Sequence, residues 1–360
     1  MGVRTAALVL VPTLALAAFV DADRDATGRD DGQERERATD ATPALRFPEL
    51  PRGDGLAAGF PADRAIATHD DVLFAEDFEC ELDELRSRWT DASDASRGVM
   101  QLVDGGPVDL PGGRALRITA SPPRTTGGSL YRSFERGERR LHARFYVRFP
   151  ADAAGYVHHF VHLGGYEPAT PWPQGNAGVR PNGDDRVTVG IEPYADRGRA
   201  PVPGNWGFYL YWPEMKVSAD GKFWGGGIAP SEPLVAPLDR WQCVEVMLDL
   251  GTPNEHDGEL ALWIDGEPRM HVLRGTPRGP WTGLGFELPS EGGEPFEGFL
   301  FRTSESLELN FFWLLHYVTP EALRRAGVTD VERDVAVEFD HVVVARAYVG
   351  PIRVDAHRER

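Results

Sequence analysis

The stretch His142-Ala-Arg-Phe-Tyr-Val-Arg-Phe149 decides the fold. Ala143, Phe145, Val147 and Phe149 occupy alternate positions, and His142, Arg144, Tyr146 and Arg148 fill the places between. Successive side chains of a strand point to opposite faces, so one face is built for a core and the other is polar and aromatic. The same pattern recurs downstream. Val187, Val189 and Ile191 alternate with Arg186, Thr188 and Glu192, and Trp206, Phe208, Leu210 and Trp212 alternate with Asn205, Tyr209 and Tyr211. Further strands are read over residues 241–250, 259–265, 307–317 and 335–345. A sheet packed on one side only has this composition, and two such sheets face to face make a sandwich.

Composition agrees. The 360 residues hold 40 glycines and 29 prolines, with 10% aromatics and few helical patterns, which suits many strands joined by tight turns. A single helix is expected, with Thr319 as its cap, Pro320 in the first turn and Gly327 after its end. The formal charge of −18 argues against nucleic acid as a partner, since a polyanion needs a basic surface. Lys216 and Lys222 are the only lysines.

The chain ends read differently from the middle. Arg4 followed by an apolar run from Thr5 to Val20, with Ala15-Leu16-Ala17 as a cleavage pattern, is read as a signal peptide over residues 1–20. The run is too short to span a bilayer, so the mature chain is expected to be secreted or periplasmic, with no membrane span. Residues 21–71, acidic and then rich in proline, are read as a disordered linker. The folded domain is expected over 72–354, with a charged tail at 355–360. In an oxidising compartment, Cys80 and Cys243 are expected to pair as a disulfide.

Several segments carry a resemblance. Phe74-Ala-Glu-Asp-Phe-Glu79 resembles the opening strand of concanavalin A-like lectin/glucanase jelly rolls. Residues 240–249 and 257–266, the second ending Trp-Ile-Asp-Gly, resemble their paired central strands, and 337–344 with 348–352 the closing strand. The resemblance frames residues 72–352 and implies an all-β, two-sheet antiparallel jelly-roll sandwich. Within that superfamily the layout is similar to secreted polysaccharide lyases of the alginate and glucuronan type. Their Gln-Ile-His and Tyr-Phe-Lys-Ala-Gly signatures are absent. The paired acids of the glucanase branch are absent too; Glu81-Leu-Asp-Glu84 has the wrong spacing.

The residue types of the middle of the chain suit β-elimination from a uronate. Such a reaction neutralises a carboxylate, removes the neighbouring proton and protonates the leaving oxygen. Arg144 is assigned to the carboxylate, His158 or His162 to the proton, and Tyr211 to the leaving group. Tyr146, Glu192, Tyr209, Lys216 and Trp224 are assigned to substrate binding, the aromatics by stacking on sugar rings. On regular alternation His158, Phe160 and His162 share a face while His159 points away. At most two of the three histidines then converge, which disfavours zinc. Arginines at 124, 132, 136, 139, 140, 144 and 148 form a candidate basic patch. Asp77 and Asp340, on the expected first and last strands, are candidates for a structural calcium, with no other cofactor required. The partner is an acidic polysaccharide. Two alternatives stay open: a non-catalytic carbohydrate-binding or adhesion module, and, with less support, a glycoside hydrolase.

Overall fold

A computed structural model describes residues 49–108, 113–174 and 176–354. The signal peptide at 1–20, the linker as far as 48 and the tail at 355–360 lie outside the described residues. In chain order the strands begin with β1 (Val72–Glu76), β2 (Asp91–Ser93), β3 (Met100–Asp104), β4 (Arg114–Ala120), β5 (Gly127–Glu138) and β6 (Arg140–Arg148). The middle holds β7 (Val161–Tyr166), β8 (Arg186–Tyr194), β9 (Asn205–Tyr211), β10 (Gly226–Pro230), β11 (Gln242–Asp249) and β12 (Glu259–Ile264). The last are β13 (Glu267–Val272), β14 (Pro277–Arg278), β15 (Phe286–Leu288), β16 (Glu294–Pro295), β17 (Leu309–Tyr317) and β18 (Val335–Ala345).

Sixteen of these form two eight-stranded sheets. The first runs β13-β12-β11-β6-β18-β4-β3, with β1 also on β18; the second runs β15-β10-β9-β8-β7-β17-β5-β2. Pairing is antiparallel apart from β10 with β15. The chain is therefore an all-β sandwich. Phe145 and Val147 of β6, Val246 of β11, Val189 of β8, Phe208 of β9 and Phe312 of β17 meet in one buried cluster between the sheets. Each such side chain contributes about 1.5–3 kcal/mol by leaving water. The buried Trp206 indole donates to Gln242 Oε1 at 2.7 Å, tying the second sheet to the first. Asp265 and Gly266, both at positive φ, turn β12 into β13, as the Asp-Gly pair requires.

The expected helix is present as α2 (Pro320–Arg325), its Thr319 side chain accepting from the Ala322 amide. A second short helix, α1 (Leu82–Arg88), stands where Glu81-Leu-Asp-Glu84 had been weighed as paired acids. No helix among the described residues is long and apolar enough to cross a membrane.

Two expectations are corrected. Residues 49–71 are not a free linker. They form three short 3-10 turns, and Ala57 and Ile66 pack with Val343, Ala345 and Val349 on the outer face of the first sheet. The few large apolar residues of 49–71, Leu50, Leu56, Phe60 and Ile66, all pack onto clusters on the outer face of the first sheet, a surface that the composition of the segment does not record. The cysteines are both free and buried. Cys80 packs into the main core, whereas Cys243 alternates with core-facing Val244 and lies on the outer face beside Tyr146 and Arg144. Opposite faces of one sheet cannot be joined at disulfide distance.

Candidate functional site

The non-core faces of the two sheets carry similar residue types in different surroundings. On the first sheet, Arg144 is fully buried beneath the 49–71 strap. Its guanidinium donates to the His341 carbonyl at 2.8 Å and to the Asp63 carboxylate. Burial works to raise the Asp63 carboxyl, but Arg144 and His341 together hold it below the ordinary aspartate value. Tyr146 stacks under the Arg144 guanidinium, and its hydroxyl accepts from the Ile352 amide at 3.0 Å. Arg144 therefore holds the strap and Tyr146 the 348–352 segment, and neither lines a groove with the histidines. This corrects their assignment to the carboxylate and the substrate. The strand parity was right, but β6 belongs to the other sheet.

On the second sheet the outward positions of β7, β8, β9 and β17 come together. Here the chain departs from regular alternation. The amides of His158 and His159 both donate to the Tyr317 carbonyl, at 2.7 and 3.2 Å, which is the signature of a bulge. Phe160 and Val161 then both enter the core. The register against β17 slips by one, His159 standing opposite Tyr317 and His162 opposite Trp313. The slip puts His159 and His162 on the same outer face, contrary to the expectation from parity. The two adjacent apolar residues in His158-His159-Phe160-Val161-His162 were the available signal.

His159 Nδ1 lies 2.9 Å from Glu192 Oε1, and His162 Nε2 lies 3.9 Å from the same oxygen. His162 Nδ1 is 2.8 Å from the Phe160 carbonyl. A carbonyl only accepts, so that nitrogen carries the proton and Nε2 keeps its lone pair. Burial pushes both imidazoles down to about 4, with Arg325 adding to the effect on His159, and pushes Glu192 up to about 7. These three residues offer ligand atoms within 4.8 Å of one another, a set able to hold a metal ion. His158, assigned as a base, instead stacks on His159 at 4.4 Å, with its Nδ1 on Thr319 Oγ1. Burial, with His159 and Arg325, pushes it down to about 2, so it is a poor proton acceptor.

Beside the cluster the Tyr209 and Tyr211 hydroxyls are 3.1 Å apart, and Tyr209 also accepts from the Gly225 amide at 3.1 Å. Burial, then Tyr211, holds Tyr209 well above 10. The Tyr209 ring packs on His159 at 4.9 Å. Glycines make room for these contacts: a Cβ on Gly225 would fall 2.2 Å from the Tyr209 ring, and one on Gly190 would fall 2.9 Å from His162 Nε2. Arg325, exposed at the end of α2, bears electrostatically on His158, His159 and Tyr209.

The remaining assigned residues lie at the margins. Trp224 neighbours Gly225, its indole donating to Asp220 and its ring under Lys222. Lys216 packs over Trp281, past the end of β9. The arginine series does not form one patch: Arg124 faces Asp334, Arg139 and Arg140 share Asp249, and Arg148 meets Glu338. Asp77 is exposed, whereas Asp340 is buried and held well above the aspartate range by burial, with Glu79 and Asp77 adding to it.

No protein-family profile matches the chain, and no curated protein matches it either. Solved structures do. Alginate lyase Aly36B, as a mutant in complex with alginate tetrasaccharide, is 13% identical with a TM-score of 0.47, over 78% of this chain and 98% of that one. The marine PL-14 alginate lyase from Aplysia kurodai is 10% identical with a TM-score of 0.49, over 76% and 99%. The endo-β-1,4-glucuronan lyase from the fungus Trichoderma reesei is 13% identical with a TM-score of 0.40, over 76% and 95%. At these values the likeness assigns neither residues nor an activity, and the chain is similar in layout to jelly-roll alginate and glucuronan lyases.

Proposed function

We propose that the chain is a secreted polysaccharide lyase that opens a uronate-containing glycan by β-elimination on the outer face of its second sheet. The observation that carries this reading is the convergence of His159, His162 and Glu192 beside the Tyr209–Tyr211 pair, on the sheet face away from the strap. The phenols handle protons. One of the pair, ionised, takes the C5 proton; the C5–H electrons become the C4=C5 bond, the C4–O bond breaks, and the other phenol protonates the leaving oxygen. A phenol held as high as Tyr209 needs positive charge nearby to act as a base, and Arg325 supplies some. Arg325, beside the His–Glu cluster, meets the carboxylate, the role that sequence had given to Arg144. His162 is a weaker candidate for the base, because its lone pair faces Glu192 and Gly190. Trp224 and Lys222 extend the site for an acidic sugar. A calcium ion at Asp77 and Asp340 is a structural accessory to this proposal.

Alginate and glucuronan, the polymers named for the structures above, are the first substrates to test, with glycosaminoglycans beside them. The expected result is a rise in ultraviolet absorbance from the unsaturated product. New reducing ends without that absorbance would mean hydrolysis. Binding without cleavage would make the face a lectin groove.

A further inference from the structure

The geometry points to a site for one divalent transition-metal ion of the zinc class, held by His159, His162 and Glu192. Its binding stands on the residues alone, whereas the role given to it below rests on the lyase reading.

The donors are already placed as ligands. His162 gives its Nδ1 proton to the Phe160 carbonyl, which directs the Nε2 lone pair toward Glu192. A metal-bound imidazole is oriented by this kind of outer hydrogen bond. Tetrahedral zinc with nitrogen and oxygen ligands at about 2.0–2.1 Å sets neighbouring ligand atoms about 3.4 Å apart. The two separations from Glu192 Oε1, 2.9 and 3.9 Å, bracket that value, and all three ligand atoms lie within 4.8 Å of one another.

The rings are also held in place. His159 is packed between His158 and Tyr209, and His162 lies against Trp313 at 5.3 Å. Gly190 keeps the space at His162 Nε2 clear of a side chain. Two imidazoles with one carboxylate prefer zinc or cobalt to calcium or magnesium, which take oxygen. Three protein ligands leave a position for a substrate oxygen. Of the charged groups facing the cluster, Arg325 opposes a second cation; Glu321 lies 3.9 Å from its guanidinium and offsets part of that.

On the lyase reading, the ion would polarise the uronate carboxylate, completing what Arg325 does in part. It would also favour the ionised form of the neighbouring phenol.

The test begins with chelator-treated wild-type protein, titrated with zinc and separately with cobalt as a visible-absorbing probe. One equivalent is expected to bind, with cobalt giving tetrahedral absorption bands and zinc raising the melting temperature. His159→Ala, His162→Ala and Glu192→Gln should each weaken binding by more than about 100-fold, beyond the usual cost of losing an outer-shell partner. His256→Ala, at an exposed histidine elsewhere, should bind as wild type does. If the wild type binds no more than the triple variant, the site does not exist, whatever the variants' folding. One equivalent bound by a protein that cleaves no glycan would uphold the site and remove the lyase reading. Full-rate cleavage by protein that binds no ion would do the opposite.

Discussion

The outer faces of the two sheets carry nearly the same alphabet and do different work. On the first, His142, Arg144, Tyr146 and Glu245 are buried under the strap and the 348–352 segment, and every bond they make is internal. On the second, His159, His162, Glu192, Tyr209 and Tyr211 converge. His162, Glu192 and Tyr211 are buried as well, but they bond to one another and to their own sheet and not to a fastened segment. Each face has a carboxylate beside an imidazole: Glu245 Oε1 lies 3.1 Å from His142 Nδ1, and Glu192 Oε1 lies 2.9 Å from His159 Nδ1. Glu245 also accepts from the amides of Val349 and Gly350, each at 2.8 Å, and so fastens the 348–352 segment. Glu192 accepts from the Phe160 amide, at 3.4 Å and two positions from His162 on its own sheet, and has a second imidazole, that of His162, 3.9 Å away. Residue type does not separate the two faces; the segment that covers one of them does.

The comparison can be broken most forcefully at Arg144. Arg144→Ala leaves Asp63 buried without its partner, and removing one member of a buried pair costs about 3–5 kcal/mol. Denaturant unfolding should show that loss, with cleavage per folded molecule unchanged. A variant of normal stability that cannot cleave would return Arg144 to the site.

Acid sharpens the contrast next. His316 lies in the core with Nε2 on the Val335 carbonyl, and burial pushes it down to about 4. A depressed histidine contributes stability above its unfolded value near 6.5 and loses it as pH falls through about 4. Over that window the loss approaches roughly 3 kcal/mol, at about 1.4 kcal/mol per unit. His158, His159 and His162 shift in the same direction. Urea midpoints at pH 7.5 and 4.5 should fall steeply for the wild type and less for His316→Gln; equal slopes would count against a neutral buried imidazole. The strap behaves otherwise, since the lowered Asp63 keeps its contribution until the pH drops below the ordinary aspartate range.

The smallest effect is expected at the cysteines. With both thiols free and on opposite faces, reducing agent should leave the melting temperature unchanged. A drop equivalent to 2–4 kcal/mol would instead reveal a disulfide.

How far the sequence could be read follows from what alternation encodes. Residues 142–149 gave the correct inward and outward sides, and β18 spans the expected 335–345. Alternation reports direction relative to a core. It does not say which sheet a strand joins, so Arg144 and Tyr211 looked like neighbours. It also assumes an unbroken strand. The bulge at His158 and His159 violates that assumption and hid the residue nearest Glu192. The strap was illegible for another reason: its three short turns are stabilised by the sheet beneath them, and no local pattern in 49–71 records that surface.

The central claim is that chemistry belongs to the second sheet and fastening to the first, and two tyrosines test it with one atom each. Initial rates of unsaturated-product formation, per folded molecule, should be compared for wild type, Tyr211→Phe and Tyr146→Phe on a polyuronate that the wild type cleaves. Tyr211→Phe should lower turnover by roughly 10²–10⁴-fold, the usual worth of a proton-transfer group. Tyr146→Phe should keep the wild-type rate and lose about 1 kcal/mol of stability with its hydrogen bond from Ile352. A Tyr211→Phe enzyme at full rate, or a Tyr146→Phe enzyme that folds normally and does not turn over, would contradict the account.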